Sequence, residues 1–110
     1  MKNNLLIDDY PLIILPTLAT KIGLSEAIVL QQIHYWLCIN EKLSQNFEDG
    51  KYRTFNTYTD LQKQFPFWNE KTIRRIIANL KSNGYILVGN YNKYKYDRTN
   101  WYSIDYSKLQ

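Results

Sequence analysis

The chain has 110 residues and a formal charge of +4, with 45% hydrophobic residues, ten tyrosines and three tryptophans. That length suits one domain with its own core and excludes two ordinary ones, while only four glycines and three prolines exclude a low-complexity chain. The single cysteine, Cys38, excludes an internal disulfide, and Pro16, Lys21, Gln31, Gln32 and His34 interrupt every apolar stretch before it could cross a bilayer.

In chain order, Leu5-Leu6-Ile7 and Leu12–Leu15 read as short extended pieces punctuated by Pro11 and Pro16. Pro16 fits the first turn of a short helix through Leu18 and Ile22, which Gly23 would stop. Ser25 is the expected N-cap of a longer helix from Glu26 to about Ile39. Val29, Leu30, Ile33, Trp36 and Leu37 form one apolar stripe on it. Ile28, Tyr35 and Ile39 form a second stripe on roughly the opposite side. A helix that is apolar on two sides has to be covered on both, either by its own domain or by a second subunit.

Residues 40–50 are polar and read as a loop. Lys51–Phe55 alternates charged and apolar residues and suits a short, half-exposed strand. Thr57 or Thr59 is placed to cap a short helix through Leu61 and Gln64, and Phe65-Pro66-Phe67-Trp68 ends it in a turn with aromatic anchors. Asn69 is the expected N-cap of a helix Glu70–Ser82 that stops at Asn83-Gly84. A strand Tyr85–Val88, a tyrosine- and lysine-rich hairpin tip over Gly89–Thr99, and a strand Trp101–Tyr106 follow. In that last strand Tyr102, Ile104 and Tyr106 would share a face.

The fold class expected is α+β: a winged helix-turn-helix with extra N-terminal helices and a small antiparallel β wing. One domain spans 1–110. Within it, 1–40 forms an N-terminal extension with the long helix, and 51–106 forms the helix-turn-helix plus wing. Charge is unevenly divided. Residues 1–50 carry three cationic and six acidic side chains, whereas residues 51–100 carry ten and three. A basic half suits a polyanionic partner.

In a helix-turn-helix the second helix enters the major groove. It needs a buried stripe, an outward face without bulky apolar groups, and hydrogen-bond donors near its start. In Glu70–Ser82, Ile73, Ile76, Ile77 and Leu80 share one side, with Lys71, Arg75, Ala78 and Ser82 opposite and Thr72, Arg74 and Asn79 flanking. Arg bonds bidentately to guanine and Asn to adenine. Arg75 and Lys71 are therefore the first candidates for base edges, followed by Arg74 and Asn79. In the wing, Lys93, Lys95 and Arg98 suit phosphates or the minor groove, and Thr57, Tyr58 and Thr59 suit further phosphate contacts. The interleaved tyrosines leave stacking on unpaired bases open.

Other residue types carry no chemistry. His34, the one histidine, has no ligand partners at metal spacing and reads as a packed residue; Cys38 reads as a buried thiol; Asp8-Asp9 reads as a turn or cap. With no Gly-rich phosphate loop and no nucleophile–base pairing, neither a catalytic residue nor a cofactor or metal is expected. No signal-peptide pattern is present, so the expected location is cytoplasmic.

Four stretches carry a resemblance. They are Leu5-Leu6-Ile7-Asp8 with Leu15-Pro16; Ala27 to Leu37; Gln64-Phe65-Pro66-Phe67-Trp68 leading to Thr72-Ile73-Arg74-Arg75; and Asp97-Arg98-Thr99 leading to Trp101–Tyr106. In these the sequence resembles the N-terminal winged-helix domain of DnaD-like replication initiators and replisome organisers of Gram-positive phages and mobile elements. The resemblance implies binding of double-stranded DNA at an origin, self-association as a homodimer, and contact with a replisome protein such as a helicase loader. It carries over no catalytic residue. Members of that family usually continue into a second domain, whereas this sequence ends at Gln110. Two other functions fit the same residues: a protein-interaction and oligomerisation module built on helix 26–39, and a transcriptional repressor of a mobile element.

Overall fold

A computed structural model describes residues 11–109. Leu5-Leu6-Ile7 and Asp8-Asp9 lie outside the described residues. Among the described residues the architecture is α+β, with four α-helices, a two-stranded and a three-stranded antiparallel sheet, and one hydrophobic core.

Helix α1 spans Pro16–Ile22 and helix α2 spans Leu24–Lys42. Proline opens α1, as its fixed φ allows, and Gly23 ends it with φ 108°, a conformation that disfavours any side chain. The same glycine starts α2. Ser25 is therefore inside the helix rather than its cap, and its hydroxyl donates to the Glu26 carboxylate at 2.8 Å. The helix also runs three residues beyond the expected Ile39. It packs against α1, α4 (below) and the strands around it, and Ala27, Ile28, Val29, Leu30, Ile33, Leu37 and Asn40 are buried along it. Four consecutive buried residues require cover on every side at that level.

The expected loop 40–50 contains a strand. Strands β1 (Phe47–Glu48) and β2 (Lys51–Tyr52) pair around Asp49-Gly50, whose φ values of 53° and 79° are those of a type I′ hairpin turn. The expected strand Lys51–Phe55 is divided at Arg53: β2 stays with β1, and β3 (Thr54–Asn56) joins the larger sheet. Arg53 causes the break. Its N–H donates to the Asn46 carbonyl, its carbonyl accepts from the buried Asn40 amide at 2.8 Å, and only 5% of the residue is exposed. The guanidinium donates from Nε to the Glu48 carbonyl at 2.9 Å and lies 4.6 Å from the centroid of the Tyr91 ring. The expected half-exposed alternation thus gives way to a buried cation between the hairpin and a distant loop.

Helix α3 (Tyr58–Gln64) starts at Thr57 through a reciprocal capping box with Asp60. The turn after it is anchored as expected: Phe65 is fully buried, Trp68 stacks on it at 5.5 Å, and Phe67 is exposed. Helix α4 spans Glu70–Ser82 with the expected bounds. Strand β4 (Ile86–Gly89) and strand β5 (Asn100–Ile104) complete the larger sheet, ordered β3-β5-β4, with Ile86 opposite Ile104 and Gly89 opposite Trp101. The last strand ends two residues before Tyr106. The Asp105 carboxylate accepts from the Ser107 backbone N–H, turning the chain into a 3-10 segment, so Tyr106 is exposed rather than aligned with Tyr102 and Ile104. The core joins one face each of α2, α3 and α4 to β4 and β5 through Ile33, Leu61, Phe65, Ile73, Ile76, Leu80, Ile86 and Tyr102. Among the described residues no helix is long and apolar enough to cross a membrane.

Candidate nucleic-acid interface

The local sequence fixes α4 tightly. The Asn69 side-chain oxygen accepts from the Thr72 N–H at 2.8 Å, satisfying one of the four free donors at the helix start, and Glu70 adds negative charge where the helix dipole favours it. Ile73, Ile76, Ile77 and Leu80 are buried. Lys71, Arg74, Arg75, Ala78 and Ser82 are exposed, and Thr72 and Asn79 are half-buried. The outward face therefore presents cations around a small residue.

Arg74 differs from its neighbours. It makes the one ion pair found among the described residues, to Glu70 at 2.8 Å, and its guanidinium lies 4.1 Å from the centroid of the Tyr58 ring. Asn100 at the start of β5 donates to the Tyr58 hydroxyl at 3.2 Å and, at the same distance, to the Tyr102 hydroxyl. The first turn of α3, the first turns of α4 and the start of β5 are thus joined by side chains. Burial pushes the Tyr102 phenol up to about 12, with the Asn100 hydrogen bond opposing it, the nearby Tyr58 adding to it and the Arg74 charge opposing it. Thr57 uses its oxygen to accept from the Asp60 N–H, which leaves its hydroxyl proton free to donate.

Loop 90–99, between β4 and β5, carries the exposed Lys93, Lys95 and Arg98. Asn92 organises it. The Asn92 amide donates to the Asp97 carbonyl at 3.0 Å and the Thr99 carbonyl at 2.7 Å, and its oxygen accepts from the Trp101 indole at 2.7 Å. Asp97 turns inward. Hydrogen bonds from the Thr99 N–H and hydroxyl hold its carboxyl below the usual range, so it stays ionised as part of the loop's own frame. Two arginines of the basic half are therefore engaged, Arg53 inside the fold and Arg74 in its pair, whereas Lys71, Arg75, Lys93, Lys95 and Arg98 stay at the surface.

Of the residues singled out from the sequence, the structure brings Tyr58 and Arg74 into contact. Lys71, Thr72, Arg75 and Asn79 share their helix with Arg74. No hydrogen bond or ion pair among the described residues joins that helix to Lys93, Lys95 or Arg98. Asn92, Asn100 and Arg53 escaped the sequence reading. The Asp97-Arg98-Thr99 spacing, typical of a side chain capping its own turn, was the readable sign that this loop is built rather than loose.

Two other places matter for the expectations. His34, expected to be a packed residue, is half-buried with its ring edge-on to Tyr106 at 5.7 Å between centroids. Its Nδ1 lies 2.8 Å from the Tyr106 hydroxyl and its Nε2 lies 3.6 Å from Cys38 Sγ, which is itself half-buried, not buried. The second apolar side of α2 is only partly covered. Ile28 is buried, but Tyr35 is 49% exposed and lines a groove of about 860 Å³ with Leu12, Ile13, Trp36, Pro66 and Phe67. A scan against protein-family models finds no match to this chain, and searches of the curated proteins and of the solved structures find none either.

Proposed function

We propose that this chain binds double-stranded DNA, with α4 in the major groove and loop 90–99 reaching the flanking phosphates. In this reading α3, the turn at 65–69 and α4 form a helix-turn-helix, and β4, the loop and β5 form its wing. The observation that carries it is the outward face of α4, where Lys71 and Arg75 stand exposed on the same strip as the small Ala78, in the turns before it, while the opposite face is fully buried. Duplex recognition demands such a one-sided helix: a stripe that fixes it to its domain and a cationic face that a groove can receive. The Arg74–Tyr58 contact and the Thr57 hydroxyl supply donors beside it for the sugar-phosphate backbone. The resemblance of the sequence to DnaD-like initiators makes a replication origin of a phage or mobile element the preferred site. An operator read by a repressor would use the same chemistry.

Salt dependence tests the reading directly. If α4 and the loop together neutralise about five phosphates, log K falls with log salt at a slope of about −4 to −5. A titration of labelled duplex against the full chain at several salt concentrations measures it, and a slope near zero defeats the proposal.

A second reading has its own observation. The groove beside Tyr35, with Ile13 and Phe67 exposed at its edges, offers apolar surface for a protein, either a second copy of the chain or a helicase-loading partner. That module and the DNA-binding face are on different helices, so the two are compatible.

A further inference from the structure

We infer that the tip of loop 90–99 is a stacking platform for an unpaired nucleobase, so that the preferred ligand is a duplex with single-stranded DNA beside it. The inference rests on the DNA-binding reading and extends it to the state of the DNA.

The observation is a pair of tyrosines held in the open. Tyr94 and Tyr96 lie with ring centroids 5.4 Å apart and planes inclined by only 15°. They are nonetheless 51% and 79% exposed. Lys93 Nζ sits 5.5 Å from the Tyr94 ring centroid, and Lys95 and Arg98 are exposed in the same short loop. Two neighbouring rings of the same region, Tyr91 and Phe55, lie against the buried Trp101. Tyr94 and Tyr96 instead lie parallel to each other, outside the hydrophobic core, and leave half or more of their surface in water.

The surroundings select the ligand. A protein partner for an exposed aromatic pair would call for an apolar rim, but here the rim is Lys93, Lys95 and Arg98, and the one acid, Asp97, is folded back onto Thr99. Flat aromatic faces spaced between cations match the alternation of bases and phosphates along a single strand. Bases within a duplex hide their faces by stacking on each other, so a tyrosine reaches a face only where the strand is unpaired. Because ring centroids 5.4 Å apart leave no room for a base between them, the base adds to the open end of the stack at Tyr96, the more exposed ring. The base of the loop is fixed by Asn92 bridging Asp97, Thr99 and Trp101, so little freedom remains to be lost on binding.

The test compares three probes at one salt concentration by fluorescence anisotropy with the full chain. They are a blunt duplex, the same duplex with a short oligothymidine tail, and the same duplex with a tail of abasic sugars of equal length. The abasic tail keeps the phosphates and removes the bases. We expect the oligothymidine tail to bind about five-fold tighter or more than the abasic one. The double variant Tyr94→Ala/Tyr96→Ala should lose that gain and keep blunt-duplex affinity to within about two-fold, while Tyr94→Phe/Tyr96→Phe should retain it, since rings and not hydroxyls do the stacking. Equal affinity for the two tails, or a gain that survives the alanine pair, overturns the platform and leaves duplex binding standing. Failure to bind any of the three probes overturns both.

Discussion

Helices α2 and α4 are both rich in isoleucine and leucine, yet water meets them in opposite ways. In α2 the four successive residues Ala27 to Leu30 are all buried, so the helix is enclosed at that level, although Leu24 before it and Tyr35 beyond it are exposed. In α4 burial is confined to Ile73, Ile76, Ile77 and Leu80, and the remaining face carries exposed cations. An enclosed helix organises a domain, while a one-sided helix with a designed outer surface is available to meet something else. Substitutions should divide accordingly: those at the buried positions of α2 should register as stability, and those on the outer face of α4 as binding.

The largest effect should come from the enclosed helix. Ile33 is fully buried in α2, and Ile33→Ala is expected to cost about 2–5 kcal/mol in urea unfolding through lost burial plus the cavity left behind. Arg75→Ala, on the outer face of α4, should change stability by less than about 0.5 kcal/mol. Comparable losses for the two would mean that the outer face of α4 is packed in solution, and the contrast between the helices would fail.

If the proposed duplex reading holds, the same Arg75→Ala variant should instead weaken binding to a selected duplex site by about 1–3 kcal/mol and binding to random duplex by less, because a bidentate contact to guanine would be lost only where guanine stands. Equal losses on both would reduce Arg75 to a phosphate contact, which sharpens the comparison without ending it.

The contrast also explains what could be read in advance. Helix α4 was legible to its last residue because its information is local: the Asn69 cap, four aliphatic residues at helical spacing, and the Asn83-Gly84 stop lie within one short stretch. The start of α2 was misplaced because two local signals compete there. Ser25 is a good cap by type, but Gly23 at positive φ already reverses the chain, and the serine hydroxyl is taken by Glu26. The β1–β2 hairpin did leave a sign, the Asp49-Gly50 pair, but its two-residue strands are too short to show a period. Burial of Arg53 left none. Its partners include Ser103, fifty positions away, and the Tyr91 ring, and nothing near residue 53 announces them. At the candidate site, residue types gave the exposed cations correctly. The Glu70–Arg74 spacing of four on one helix was a readable sign that Arg74 is paired and Arg75 is not, whereas the Tyr58 ring against Arg74 was not readable, because it depends on how α3 packs beside α4.

Where the enclosed and displayed regions meet, pH provides a third probe. Tyr102 is fully buried beneath the Asn100–Tyr58–Arg74 contacts, and its phenol titrates near 12 instead of 10.0. In the unfolded chain the phenol begins to ionise near pH 10, while the fold keeps its proton. The contribution is therefore complete below pH 10 and is lost as pH rises from there toward 12, amounting to about 3 kcal/mol across the window. Urea unfolding of the wild type and of Tyr102→Phe, followed from about pH 9 upward, should show a steeper alkaline fall for the wild type. Parallel curves would show that the fold does not hold Tyr102 neutral.

The smallest effect is expected at Glu70, and its direction matters more than its size. Glu70 is the one acid on α4, it holds Arg74 at 2.8 Å, and it stands in the first turn, beside the cations that would face phosphate. Glu70→Gln keeps the shape and removes the charge. Stability should fall by no more than about 0.5 kcal/mol, since an exposed pair and a first-turn carboxylate each contribute little. Duplex affinity should rise by about two- to five-fold at low salt, and the gain should fade as salt increases, because the change releases Arg74 and removes a repulsion. A fall in affinity would mean that Glu70 aims Arg74 and does not restrain it. The working surface would then be the Glu70–Arg74–Tyr58 assembly as a unit, and the simple picture of free cations on one face of a helix would have to give way to it.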